Sequence, residues 1–450
     1  MINYTNLQLL IKEYSDLKIL RNNMTPNERG QRFNYFISEM LQCYRINSQA
    51  SERSKGEIDV SFMLEGRRFI LEAKWQKKPN DTGDIAKLQK RVRQRLGGTV
   101  GILVSMSGFS ADALKDVNEG EQLSVLLLDK NHFDCMLSGF IPPLELISLL
   151  LNQASFYGKA YCPSIIDLYP QSSAKEIKNY VGLPREISEN DLIVESKNGF
   201  KAKAILSNLP FGQSGIAVLG PNKIIITLNS GLFSYNLGTK KVKLLFSIPD
   251  CSRNVIVHND DIYVIRKNGV ACFNEKFFKI VAGGLPGATS LFKAESNELW
   301  AFSNGEPNGF SPQITKIEHD LGNEIRYNID IDVCINTNAI KIGADSFFII
   351  GNNSVLADLK TKRIIPFPLK LSNPMGLGAI SNIKAIVVSD PVQLSEIDIA
   401  DKSIETIAKF NLQGSVSELT MSDEKSGYFF SHYTNQNMEP KGIVVFWEKR

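Results

Sequence analysis

Four histidines (His132, His258, His319, His432) and six cysteines (Cys43, Cys135, Cys162, Cys251, Cys272, Cys334) lie scattered through 450 residues, with no CxxC pair. That dispersal argues against a structural zinc site and against a disulfide framework. No run of apolar residues approaches the length that spans a bilayer, and the opening MINYTNLQLLIKEYSD mixes charges into its apolar positions instead of keeping a signal peptide's uninterrupted core. The expected location is the cytoplasm, with no membrane partner. Net charge is only +3, so contact with nucleic acid has to be argued from where the charge sits. The glycine-rich stretch GGLPGATS at 283–290 lacks the lysine of a phosphate loop. Apolar content is not scarce: 43% hydrophobic residues over this length imply large cores and at least two domains.

Residues 1–162 alternate helical and strand patterns, as a mixed α/β domain does. In TPNERGQRFNYFISEMLQCY, Phe33, Phe36, Ile37, Met40, Leu41 and Tyr44 recur at helical spacing, and Thr25, Pro26 and Glu28 form a capping-box start. EIDVSFML and RRFILEAKW read as strands joined by Glu65-Gly66; VGILVS and SVLLLD read as buried strands, and PPLELISLLLNQA as an apolar helix. Residues 163–200 turn to Pro, Ser and charge, the composition of a linker. From 201 to 450 short strand-like runs recur. Ile225, Tyr263, Trp300, Phe348, Ile386 and Phe429 mark comparable points at intervals of 37 to 48 residues. A period of about 40 residues is that of four-stranded propeller blades, so an all-β, six-bladed propeller is expected. DLIVESKNGFKAKAIL is placed to supply a strand closing the ring with GIVVFWEK. No Trp-Asp blade ending occurs, and a β-sandwich or two small barrels is the competing architecture.

The strand ILEAKWQ, residues 70–76, carries Glu72 and Lys74 among residues a sheet buries. With Glu65-Gly66 as a two-residue turn, Leu64 faces Arg67 and Asp59 falls opposite Glu72. Period-two alternation then puts Glu57, Asp59, Glu72, Lys74 and Gln76 on one face, and Ile58, Val60, Leu71, Ala73 and Trp75 on the other. Opposed carboxylates repel unless a cation lies between them or one is protonated. Mg²⁺ suits that gap, since it prefers hard oxygens and takes one or two carboxylates; Lys74 could orient water and offset charge on a phosphorane-like transition state. The alternative is a solvated face with Lys74 opposite Glu57 as a surface ion pair.

GEIDVSFMLEGRRFILEAKWQKKP resembles the D…(D/E)xK core of the PD-(D/E)XK nuclease superfamily, in its Mrr-like restriction endonuclease branch, with Asp59, Glu72 and Lys74 at the three motif positions. ERGQRF at 28–33 looks like the branch's opening helix, GILVSMSGFSADAL like its strand, small-residue loop and helix, and VLLLDKNHFDCML like its last strand and the segment after it. The resemblance extends over about residues 25 to 160. It implies a restriction-endonuclease-like fold and an Mg²⁺-dependent endodeoxyribonuclease, with Mn²⁺ as a substitute. Many members place a metal-holding glutamate directly after the first-helix phenylalanine. Here Asn34 follows Phe33 and offers a neutral amide oxygen beside the metal ligands Asp59 and Glu72. Gln76, on the polar face, is a further candidate for contact with water or substrate.

Segment 74–95 holds eight Lys or Arg against two Asp, a local +6 beside the triad. Lys77, Lys78, Lys87, Lys90, Arg91, Arg93 and Arg95 are the candidate contacts to double-stranded DNA, positioning a backbone without reading bases. Ser105, Ser107 and Ser110 stand where a strand gives way to a helix, whose N-terminus could hold a phosphate, with Ser110 as a plain N-cap the alternative role. The propeller half, with no comparable chemistry, reads as a recognition platform for an unnamed partner. The fusion points, by analogy, to restriction or anti-phage defence, and cutting both strands points to a homo-oligomer. The alternative from another class is a degenerate nuclease fold that binds DNA without cutting, toward which Asn34 leans.

Overall fold

The computed structural model describes residues 2–51, 58–119, 123–169 and 192–449, apart from 211, 213, 252–254, 275–276, 295–297, 306–309, 331–337, 352, 369–371, 413–414 and 435–437. Glu57 and Cys334 therefore lie outside the described residues.

The N-terminal sheet runs in the order β1 (Ser48–Ala50), β2 (Val60–Leu64), β3 (Arg67–Lys74), β4 (Val100–Ser105), β5 (Val125–Asp129). The first three strands are antiparallel and the last three parallel. Parallel strands must be covered on both faces, which is why VGILV and VLLLD are continuously apolar. On one face Val60, Leu71, Ile102, Val104, Leu126 and Leu128 pack against α1 (Tyr4–Lys18), α2 (Pro26–Cys43), α5 (Lys130–Ser138) and α6 (Pro143–Tyr157). On the other, Ile70, Leu103, Val125 and Leu127 meet α3 (Thr82–Arg93) and α4 (Ala111–Glu119) through Ile85, Leu88, Val92, Ala113 and Val117. A Cβ at Gly101 would stand 2.8 Å from Val92 Cγ2. The bare backbone there is what lets α3 lie this close to the sheet.

Local signals are met as expected. Thr25 Oγ1 accepts from the Glu28 N–H at 3.2 Å, and the Glu28 carboxylate accepts from the Thr25 N–H at 2.8 Å. The hairpin pairs Val60 with Leu71 and Leu64 with Arg67, turning through Glu65 (φ 48°) and Gly66 (φ 77°), the left-handed pair a two-residue hairpin requires. One assignment needs correction. Ile58 packs with the α3-side cluster, not with Val60 and Leu71. The ladder bends at Asp59, whose N–H donates to the Leu71 carbonyl at 3.2 Å, so the alternation does not extend past it.

The second domain is a six-bladed propeller: six antiparallel sheets among the described residues. Ile225, Tyr263, Trp300, Phe348, Ile386 and Phe429 each fall in the second strand of successive blades. The six first strands surround an axial cavity of about 220 Å³. β7 (Lys201–Leu209) completes the last blade by pairing with Pro440–Glu448, which closes the ring. β6 (Ile193–Ser196), inside the stretch read as linker, adds a fifth strand to the fifth blade, and Ile165, Leu168 and Tyr169 at that stretch's start are buried in the core.

The two domains share one apolar core through α1, α5 and α6. Arg266 of the propeller, fully buried, donates from Nε to Pro249 O at 2.8 Å, from Nη1 to Phe140 O at 2.5 Å and from Nη2 to Glu145 Oε1 at 2.5 Å. Lys267 and the Tyr169 hydroxyl bind the same carboxylate. On α1, Tyr4 donates to Asn268 Oδ1 at 3.0 Å and Lys18 to Leu321 O at 2.7 Å. No helix among the described residues is long and apolar enough to cross a membrane.

Candidate active site

β3 carries Glu72 and Lys74 to the end of the sheet, the residue before β2 is Asp59, α2 brings Asn34 and α3 brings Arg91. Asp59 is half-buried: Oδ1 accepts from Asn34 Nδ2 at 2.8 Å and Oδ2 from the Ala73 N–H at 2.9 Å. Glu72 is only 4% exposed. Its Oε1 holds Arg91 Nη1 in a direct ion pair, and its Oε2 lies 3.9 Å from Lys74 Nζ. Burial pushes the Glu72 carboxyl above its ordinary range; Arg91 and Lys74 oppose that, and the charge of Asp59 adds to it. Asn34 turns its amide nitrogen toward Asp59, and its Oδ1 is buried without a hydrogen-bond partner.

Trp75, next in the chain, fixes this strand end from the other face. Its ring packs edge-on against Phe33 at 4.8 Å between centroids and lies 5.8 Å from Tyr14; Arg29 sits 4.7 Å over it and donates from Nη2 to the Trp75 carbonyl at 3.1 Å. The Lys74 carbonyl accepts from the Met106 N–H at 2.9 Å, joining β3 to the loop after β4. The serines there are structural. Ser105 donates to Asn80 Oδ1 or Gly108 O, both at 2.6 Å, Ser107 donates to Lys78 O at 2.6 Å, and Ser110 caps α4 by accepting from the Ala113 N–H at 3.2 Å.

Gln76 is exposed just beyond β3, followed by exposed Lys77 and Lys78. Lys87, Lys90 and Arg93 are exposed along α3, and Arg95 just past it. Arg91 departs from this set by turning inward to Glu72. α3 runs back along the sheet, so the basic residues form a track from the triad to the far end, about 18 Å for twelve residues. There Arg67, Arg93 and Arg95 line a cleft of about 660 Å³. Sequence reasoning missed Arg29 and the inward role of Arg91; a basic helix carries no signal for which of its cations meets the sheet. Among the described residues, no group of three or more His, Cys, Asp or Glu gathers here or elsewhere, and Cys43, Cys135, Cys162, Cys251 and Cys272 are buried and free.

Residues 26–137 match a family of known proteins, the Mrr-type catalytic domain described as restriction endonuclease. No curated protein matches the chain. Solved structures similar to it include a luciferin-regenerating enzyme (10% identity, 56% of this chain, 95% of that one, TM-score 0.44). A protein of unknown function from Bacteroides thetaiotaomicron VPI-5482 (11%, 56% and 73%, 0.40) and the WD40 β-propeller domain of Doa1 (8%, 56% and 97%, 0.38) are similar too. At such scores these likenesses carry no argument, and the blade count rests on the strand pairing.

Proposed function

We propose, from the membership of residues 26–137 in a restriction endonuclease family, that this protein is a metal-dependent DNA endonuclease whose propeller serves as its sensor or binding platform. The observation that carries the reading is the convergence of Asp59, Glu72 and Lys74 at one sheet end, with Lys74 Nζ 3.9 Å from Glu72 Oε2 and Asp59 Oδ2 accepting from the Ala73 N–H between them. The donor set suits a hard divalent ion: two carboxylates and, in Asn34 Oδ1, a buried oxygen with no partner. Asp59 and Glu72 would hold Mg²⁺ or Mn²⁺, with Asn34 as the weaker third oxygen. Such an ion supplies Lewis-acid stabilisation of charge developing on the scissile phosphate.

The chain's own residues do the rest. Lys74, half-exposed at the strand end, offers a fixed ammonium to the phosphoryl oxygens and to the attacking water. Lys77, Lys78, Lys87, Lys90, Arg93 and Arg95 hold the duplex by its phosphates and leave base choice open. Gln76, beside Lys77, contacts substrate or water. A restriction or anti-phage role in the cytoplasm follows from the family's character, and a symmetric pair of chains is the simplest way to cut both strands. The domains in this reading are residues 1–162, a connecting stretch 163–200 whose ends join the core and the fifth blade, and the propeller 201–450.

A second reading, a nuclease fold that binds DNA without cutting, is favoured by one observation: Arg91 is seated on Glu72. Supercoiled plasmid incubated with wild type, Lys74→Ala and Asp59→Ala, in Mg²⁺ and in EDTA, separates the two. Nicking lost with EDTA and with either substitution supports the nuclease. Plasmid binding without nicking, together with Mg²⁺ binding unchanged by Asp59→Ala, leaves the scaffold.

A further inference from the structure

Arg91 and Glu72 are unequal partners. The Glu72 side chain is 5% exposed and that of Arg91 27%, so Arg91 is the more exposed of the pair. On α3, Leu88 and Val92 face the sheet, and Lys87 and Lys90 face out. Arg91 stands between these faces, on the border between the metal site and the basic track. Its inward reach depends on how closely α3 approaches β4 at Gly101. Glu72 already has a cation near each oxygen, Arg91 at Oε1 and Lys74 at 3.9 Å from Oε2. A divalent ion on the same carboxylate would crowd like charges together; Lys74, though the more exposed at 36%, stands on β3 beside the scissile phosphate in the proposed site, which leaves Arg91 on α3 as the cation to move.

We infer that Arg91 is a gate and a phosphate clamp: it occupies Glu72 while no metal is bound, and passes to a phosphate oxygen of the DNA when metal takes Glu72. The guanidinium suits both posts, since carboxylate and phosphate present the same paired oxygens to its planar fork. Metal and DNA are thereby coupled, because the cation that the metal releases is one the phosphate then receives. Arg91 is a positioning residue for the metal and a binding residue for the substrate. This inference rests on the proposed metal-dependent reading of the site.

Mn²⁺ titration of the full chain without DNA, followed by electron paramagnetic resonance, tests the gate in wild type, Arg91→Gln, Arg91→Lys and Asp59→Ala. Arg91→Gln should bind Mn²⁺ more tightly, on the order of tenfold, and Arg91→Lys, which keeps the charge, should stay near wild type. Equal or weaker Mn²⁺ binding by Arg91→Gln overturns the gate and leaves Arg91 a structural support for Glu72. Fluorescence anisotropy with a short duplex in the Lys74→Ala background tests the clamp: adding Arg91→Gln should weaken DNA binding in Mn²⁺ and leave it unchanged in EDTA. Equal weakening in both makes Arg91 an ordinary phosphate contact and overturns the exchange. Failure of the underlying reading looks different. There Asp59→Ala leaves Mn²⁺ binding as in wild type, whatever Arg91→Gln does, and the inference falls with it. Thermal melting of each variant confirms that the comparison is between folded proteins.

Discussion

The two halves of the molecule use buried charge differently. In the propeller, the second strands are mostly apolar and repeat at near-regular intervals around an axis, and the buried cation at the end of one of them, Arg266, is used at the domain boundary. In the N-terminal domain, a central strand of a covered sheet carries Glu72, buried and held by cations from a helix and from its own strand. A buried carboxylate is costly, and a strand that needs only to pack would carry an apolar residue there. Buried charge alone does not mark a site: Arg266 is tied to Glu145 across the domain boundary, whereas Glu72 sits at a sheet end with Lys74 beside it.

The sharpest way to break this contrast is at the triad. Lys74→Ala should reduce plasmid cleavage by about 10²–10³-fold, while Lys293→Ala in the axial cavity of the propeller should leave the cleavage chemistry intact; equal losses in a nicking assay would abolish the division of labour. The next largest effect is expected at the domain boundary. Arg266→Ala removes a fully buried cation and leaves Glu145 unpartnered by its closest guanidinium, a loss of about 3–5 kcal/mol measurable by urea unfolding.

Packing of α3 gives a smaller effect with a sharper reading. Gly101→Ala places a methyl group against Val92, Val125 and Leu88, and overpacking of this kind costs about 1–3 kcal/mol. It should lower cleavage by moving α3, and with it Arg91, away from β3; a stability loss with unchanged cleavage would separate α3 from the site. The smallest effect is acid sensitivity at the boundary. Burial alone would raise the Glu145 carboxyl, but Arg266, Lys267 and Tyr169 outweigh it and hold it below its ordinary range. Its stabilising contribution is therefore complete above the unfolded carboxylate range and lost as pH falls through the depressed folded value. Thermal melts from neutral to acidic pH should show wild type losing more stability than Glu145→Gln; parallel curves would remove Glu145 from the acid response.

Much of the N-terminal fold was legible because its signals are local. Thr25, Pro26 and Glu28 start a helix through bonds that span three residues, and Glu65-Gly66 sets a turn that carries its register along the hairpin from Leu64 and Arg67 to Val60 and Leu71. The blade period survived as anchors because every blade buries the same strand. What failed was the step beyond the last regular pair: the bend at Asp59 sent Ile58 to the other face. Alternation holds only while the ladder does.

By itself the sequence determined the strand that carries Glu72 and Lys74, the order of elements and the number of blades, since each follows from spacing along the chain. Only the tertiary structure decided that Arg91, among the cations of its segment, turns to Glu72, that Asn34 gives Asp59 its nitrogen, and that Arg266 is buried against Phe140 and Glu145. Those partners come from different elements. Their meeting depends on how closely a helix approaches a sheet, or one domain another, and that depth is set by packing, with bare backbone at Gly101 admitting α3 to the strand it serves.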